Sequence, residues 1–212
     1  MKKKIALLMA CVMAFGIAVG GTLAWLTDAT QEVKNTFTDS DINITLTESE
    51  NLNLQMIPGY TIEKDPKVTV KANSEACWLF VEVTESANYD DYMTYGIDAG
   101  WTAGEGVGKK DDGTDKNGVP VGVYFRKVDA ATAKAGNENA PYAVLDGNKV
   151  TVLGSVTKAM METAKTAQPT LTFKAYASQL YKSAGAEFTA AQAWANIADA
   201  NANGTPDANE TT

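Results

Sequence analysis

The sharpest chemical spacing in the chain lies near its C-terminal end. Asp199, Asn201, Asn203, Gly204 and Glu210 fit the pattern D-x-[DN]-x-[DN]-G-x5-E. That pattern sets oxygen ligands at alternate positions around a hard cation, with Gly for the sharp turn and a late Glu for bidentate contact. Asp207 stands at the ninth position of such a loop, and the Thr205 carbonyl at the seventh. Calcium is the cation this donor set suits, and even a weak site fills where calcium is plentiful. Pro206 and the two Asn ligands pull the other way: Pro206 takes a position that an apolar residue usually holds, and two neutral amides lower the charge. The plainer reading is a polar tail rich in Asn, Ala and Asp. Residues 199–212 are therefore expected to be a polar tail or a calcium loop.

Other chemistry is sparse. The chain contains no His, which removes Ser-His-Asp and Cys-His nucleophile sites, HExxH zinc sites and His proton relays. Cys77, between Ala76 and Trp78 in a strand-like run, reads as a buried thiol rather than a nucleophile. The acid pairs Asp90-Asp91 and Asp111-Asp112 are adjacent, so in extended backbone they point opposite ways and read as solvated charge. Gly104-Glu105-Gly106-Val107-Gly108 lacks the strand–turn–helix setting of a nucleotide fingerprint and reads as a loop. No catalytic residue is singled out. With 18 Lys+Arg against 26 Asp+Glu, the net charge of −8 excludes a nucleic-acid surface, which needs clustered cations.

The elements that must position these residues begin with an address. Lys2-Lys3-Lys4 precede an uncharged apolar run from Ile5 to Val19, and Gly20-Gly21 breaks it. Thr22-Leu23-Ala24 offers small residues where a signal peptidase reads, so 1–24 is expected to be a signal peptide cut between Ala24 and Trp25. The run is shorter than the roughly 20 residues of a spanning helix, so membrane contact is expected only through the uncleaved signal. Cleavage leaves Cys77 as the single cysteine, too few for an internal disulfide, so the core or self-association must hold the exported domain.

From 42 to 198 the pattern is mostly strand. Ile42, Ile44 and Leu46 alternate with polar residues, as do Leu171, Phe173, Ala175 and Ala177. Runs at 67–72 and 78–84 suggest a hairpin. Val119 to Val128 reads as another strand. Asp146-Gly147-Asn148, between Tyr142–Leu145 and Val150–Leu153, suggests a tight hairpin turn. A short helix is expected over 156–167, stopped by Pro169. Thr189 with Gln192 three residues on forms a capping-box signature, and Ala190, Ala193, Trp194, Ile197 and Ala198 follow at helical spacing. Short strands, turn-rich spacers and few helices imply an all-β fold with minor helices, an antiparallel β-sandwich closed by a C-terminal amphipathic helix.

Several motifs together resemble a known family. They are Gly20-Gly21-Thr22-Leu23-Ala24-Trp25-Leu26-Thr27-Asp28, Asn35-Thr36-Phe37-Thr38, Met56-Ile57-Pro58-Gly59, the stretch Lys64 to Lys71 with Asn73-Ser74, and Phe173-Lys174-Ala175-Tyr176-Ala177 with Ala191-Gln192-Ala193-Trp194. They are similar to the TasA/camelysin family of exported Gram-positive proteins, processed by a dedicated signal peptidase of the SipW type. The likeness touches both ends and the first third, and residues 86–140 match nothing in it. The resemblance implies a jelly-roll-like sandwich and a secreted subunit of the extracellular biofilm matrix or cell surface, partnered by its own copies and by other matrix proteins. It also implies that the freed segment 25–41, anchored by Trp25, Leu26 and Phe37, adds as a strand to the next subunit. Such strand addition takes affinity from main-chain bonds and specificity from alternate side chains. Two further readings stand beside it. One is a camelysin-like secreted metalloendopeptidase, which the absence of His opposes. The other is a monomeric surface binding or adhesion domain, with Tyr89, Tyr92, Tyr95 and Trp101 as lining or as core.

Overall fold

The computed structural model describes residues 41–49 and 55–202. In chain order the elements are β1 (Ile44–Thr47), β2 (Thr61–Glu63), β3 (Lys67–Val70), β4 (Cys77–Glu85), α1 (Tyr89–Tyr92), β5 (Met93–Ile97), β6 (Thr102–Ala103), β7 (Val123–Val128) and α2 (Ala130–Ala135). Then come β8 (Tyr142–Ala143), β9 (Leu145–Val152), α3 (Lys158–Ala164), β10 (Leu171–Gln179), β11 (Tyr181–Ser183), β12 (Ala186–Glu187) and α4 (Ala190–Ala202). Every ladder among the described residues is antiparallel.

Two ladders, β1-β3-β8 and β2-β9-β5, continue each other. Only Lys64-Asp65-Pro66 separates β2 from β3, and only Val144 separates β8 from β9. At that join the Val144 N–H donates to Pro66 O at 3.0 Å and the Lys64 N–H to Asn148 O at 2.9 Å. The facing sheet runs β10-β4-β7-β6. Among the described residues the path begins in the first sheet and crosses to the second at β4. It returns at β5, crosses at β6 and β7, returns at β8 and β9, and crosses again at β10. This wrapping makes the molecule a jelly-roll-like all-β sandwich with minor helices.

The register explains the side-chain code. Val68, Val70, Cys77, Leu79, Val81, Val83 and Val128 meet between the sheets. A second cluster, around Tyr89, Tyr92, Leu145, Val150 and Val152, continues it. Phe80 and Phe125 point out of the second sheet and are covered by Ala193 and Ile197 of α4. Both faces of β4 are therefore covered, and its sequence CWLFVEV reads as a nearly unbroken apolar run rather than an alternation. Arg126, on the inner side of β7, stacks on Tyr142 with its guanidinium carbon 3.5 Å from the ring centre, and lies 5.5 Å from that of Trp101. Planar stacking of this kind lets a cation close the rim of an apolar core.

Several expectations change. β3 and β4 are not a hairpin: they lie in opposite sheets, and the turn at Asn73 (φ 66°) hands the chain across the sandwich. Alternation shows that a run is a strand but does not choose its neighbour. Asp146-Gly147-Asn148 does not end a strand either. It lies inside β9 as a bulge, so that Tyr95 and Ile97 face Val150 and Leu145. Gly147 (φ 60°) and Asn148 (φ 53°) take the left-handed geometry the turn signal asks for, yet the chain leaves in the direction it entered. The strand expected from Val119 begins at Val123, because 119–122 form a turn. The helix expected over 156–167 is confined to Lys158–Ala164, capped by the Thr157 side chain accepting from the Met160 N–H.

Residues 104–118 form a loop as expected, and it is braced internally. Asn117 Oδ1 accepts from the Glu105 and Val119 amides, and its Nδ2 donates to Ala103 O at 2.8 Å. Lys110 pairs with Glu105 at 2.7 Å.

Candidate functional site

The C-terminal helix α4 is built as its sequence signature requires. The Thr189 N–H donates to Gln192 Oε1 at 3.1 Å, and the Gln192 N–H donates to Thr189 Oγ1 at 3.2 Å. This reciprocal pair satisfies two amides that a helix start leaves without partners. Ala193 and Ile197 are buried, whereas Ala198 is exposed, so the apolar face is narrower at its end than the spacing suggests. Trp194 meets Phe80 at 5.3 Å and Tyr176 at 5.5 Å between ring centres. The helix thus covers the outer face of β4 and β10.

Asp199 and Asn201 fall within α4, which runs to Ala202. Asn203, Thr205, Asp207 and Glu210 lie outside the described residues, as do Ala24, Trp25, Leu26 and Phe37. Among the described residues, no group of three or more His, Cys, Asp or Glu side chains could hold a metal ion, and no helix is long and apolar enough to cross a membrane. Cys77 is fully buried, and that burial pushes its thiol up to about 12. It is therefore protonated and inert at neutral pH. Tyr89, Tyr92 and Trp101 are buried, and Tyr95 is half-buried against them. Trp101 Nε1 donates to Ala143 O at 2.7 Å, Tyr92 Oη to Met160 O at 2.9 Å, and Tyr95 Oη to Glu85 at 2.5 Å. These aromatics are core, not a displayed binding face.

The structure brings forward a feature that spacing alone does not show, the position of β10. All nine of its residues are paired with β4, from Leu171 opposite Glu85 to Gln179 opposite Cys77. It stands at the end of its sheet, with no described strand on its far side. The other strands at sheet ends are shorter: β1 has four residues, β5 five and β6 two. The direction of its amides follows from the bonds at its two ends. The Ser86 N–H donates to Thr170 O, and the Leu180 N–H donates to Ala76 O. Even-numbered residues therefore bond to β4, and the amides of Leu171, Phe173, Ala175 and Ala177 point outward. The side chains of those four residues are half-buried against the core. Lys174, on the opposite side of the strand, is exposed. The alternation in this segment reveals a strand, and its lysine is the kind of charge that guards sheet edges. Neither says that the strand stands last in its sheet.

Fold and edge together define a class: an antiparallel all-β sandwich presenting one long terminal strand. No family model matches the chain, and neither a curated protein nor a solved structure matches it significantly.

Proposed function

We propose that this chain is a secreted structural subunit of an extracellular biofilm matrix, related to the TasA/camelysin proteins, and that it assembles into fibres. In this reading a dedicated signal peptidase cuts between Ala24 and Trp25. The freed segment Trp25–Phe37 then adds as a strand to a neighbouring subunit, with Trp25, Leu26 and Phe37 as anchors. The observation that carries the reading is the terminal strand β10, nine residues long with a row of outward amides. At about 3.3 Å per residue it offers a template of roughly 30 Å, which a thirteen-residue donor can cover. Donor and acceptor are different surfaces, so the contact is head-to-tail and propagates instead of closing.

The test compares three forms by electron microscopy: the chain beginning at Trp25, the chain beginning at Asp39, and the first form carrying Ala175→Pro. Proline at 175 removes an outward amide while sparing the bonds to β4, and edge positions tolerate such a residue. Filaments are expected from the first form alone, with all three showing the same far-UV circular dichroism. Filaments from the form lacking residues 25–38 would refute strand donation. Undiminished filaments from the proline variant would remove β10 as the acceptor.

A further inference from the structure

Among the described residues, β2 ends one ladder of the first sheet and β10 ends the second sheet. Between Ile62 of β2 and Leu171 at the start of β10 opens a cavity of about 580 Å³, lined also by Met56, Met93, Val150 and Met161. Recognition sites commonly fall between about 300 and 1,000 Å³. The methionines are unbranched and polarisable, so they adapt to the outline of an apolar guest. The inward side chain of a strand added beside the start of β10 would point into this space.

The path of the chain selects the occupant. The described residues open at Asp41, whose carbonyl accepts from the Glu75 N–H at 2.9 Å, and the next carbonyl along, that of Ala76, accepts from the Leu180 N–H at 3.0 Å. Asp41 therefore stands at the far end of β10, nine residues or roughly 30 Å from the cavity. β1 is antiparallel to β3, β4 starts where β3 ends and runs back along the sandwich, and β10 is antiparallel to β4. β1 and β10 thus point in opposite directions. A segment that leads straight into β1 keeps the direction of β1, so it lies antiparallel to β10 of a second copy set end to end with the first. Its last residues then reach the start of that β10, beside the cavity. From Phe37 to Asp41 the backbone spans at most about 14 Å, so Phe37 falls short of the cavity of its own subunit.

The segment carries the alternation such a strand needs. Trp25, Ala29, Val33 and Phe37 fall on one side, and Asp28, Glu32 and Lys34 on the other. We propose, resting on the strand-donation reading above, that Phe37 of one copy fills this cavity in the next. Phe37 then stands opposite Leu171 and Val33 opposite Ala175, while Trp25 and Leu26 pass beyond Gln179. One buried aromatic ring at the start of β10 fixes the register, because a slip of one residue would turn the charged side inward. It also gives the fibre a polarity, with every subunit pointing the same way.

The test uses the chain beginning at Trp25, whose Cys77 is fully buried. Phe37→Cys and Met161→Cys variants are prepared separately, mixed, allowed to polymerise and treated with a short bismaleimide; Met161 is only half-buried, so its replacement is mild. The expected product is a bridge between two copies, with none from a mixture of Trp25→Cys and Met161→Cys. Phe37→Ala changes no described residue and is expected to raise the critical concentration for filaments by at least about tenfold, with Phe37→Leu in between. Parent filaments whose positions 37 and 161 do not bridge, or a Phe37→Ala chain that assembles like the parent, would overturn the cavity assignment and leave strand donation standing. A bridge from position 25 instead would overturn it by reversing the donor. So would a bridge formed within one chain carrying both Phe37→Cys and Met161→Cys, at a dilution without filaments, because the occupant would then be the subunit's own segment. A parent chain that makes no filaments would refute the fibre reading itself, and this proposal with it.

Discussion

Asp65 occupies the joint between β2 and β3 and is 3% exposed. Its carboxylate accepts from the Ser49 amide at 2.9 Å, the Ser49 hydroxyl at 2.7 Å and Lys67 Nζ at 2.7 Å. Burial alone would raise its pKa, but these donors outweigh it and hold the group at about 2. Because the folded value lies below the ordinary 3.8, its contribution to stability is complete above about pH 4 and is lost as pH falls through about 2. Asp65→Asn is expected to lower stability at pH 6 and to flatten the fall between pH 4 and 2, read as the urea midpoint at each pH. A variant that keeps the full acid-dependent fall would show that other carboxylates set it. Sequence reading singles out Lys64-Asp65-Pro66 only as part of a family likeness. Ser49 lies sixteen positions away, and nothing local in the sequence announces the bond.

The elements differ in how readable they are, and range explains why. The start of α4 is legible because Thr189 and Gln192 satisfy each other within one turn. Thr189→Ala is expected to cost about 1 kcal/mol, measured by thermal or urea unfolding, with Gln192→Ala costing less. A cost near zero would mean that the packing of Trp194 and Ile197 fixes the helix start without its cap. The bulge in β9 is legible in half. Gly147 and Asn148 declare positive φ, but whether the chain reverses there depends on β5 and β2, which hold β9 straight from both sides. The same limit applies to β3 and β4, whose partners lie in distant segments. The cavity was invisible for this reason too: its walls come from stretches near 56–64, 89–93, 150 and 161–171 that no window unites.

At the scale of the whole molecule the sandwich, its antiparallel habit and its closing helix were all readable, because alternation over 42–198 and a capped amphipathic run leave few other architectures. The edge was not, since a strand's rank in its sheet is decided by every other strand. One consequence of this arrangement concerns time rather than space. β4 has its two long partners far along the chain: Cys77 pairs with Val128 on one side and with Gln179 on the other. A polypeptide delivered from its N-terminal end therefore cannot complete the second sheet until β10 has emerged, and β10 is the last strand of that sheet to form. High contact order of this kind makes folding slow, in the millisecond-to-second range of all-β domains. Stopped-flow refolding followed by tryptophan fluorescence is expected to fall in that range, and microsecond folding would contradict it. Until that last pairing forms, β4 carries its own unpaired edge from Cys77 to Glu85, so the docking of β10 moves the open edge of the sheet outward by one strand and closes it only when the whole segment through Gln179 is present.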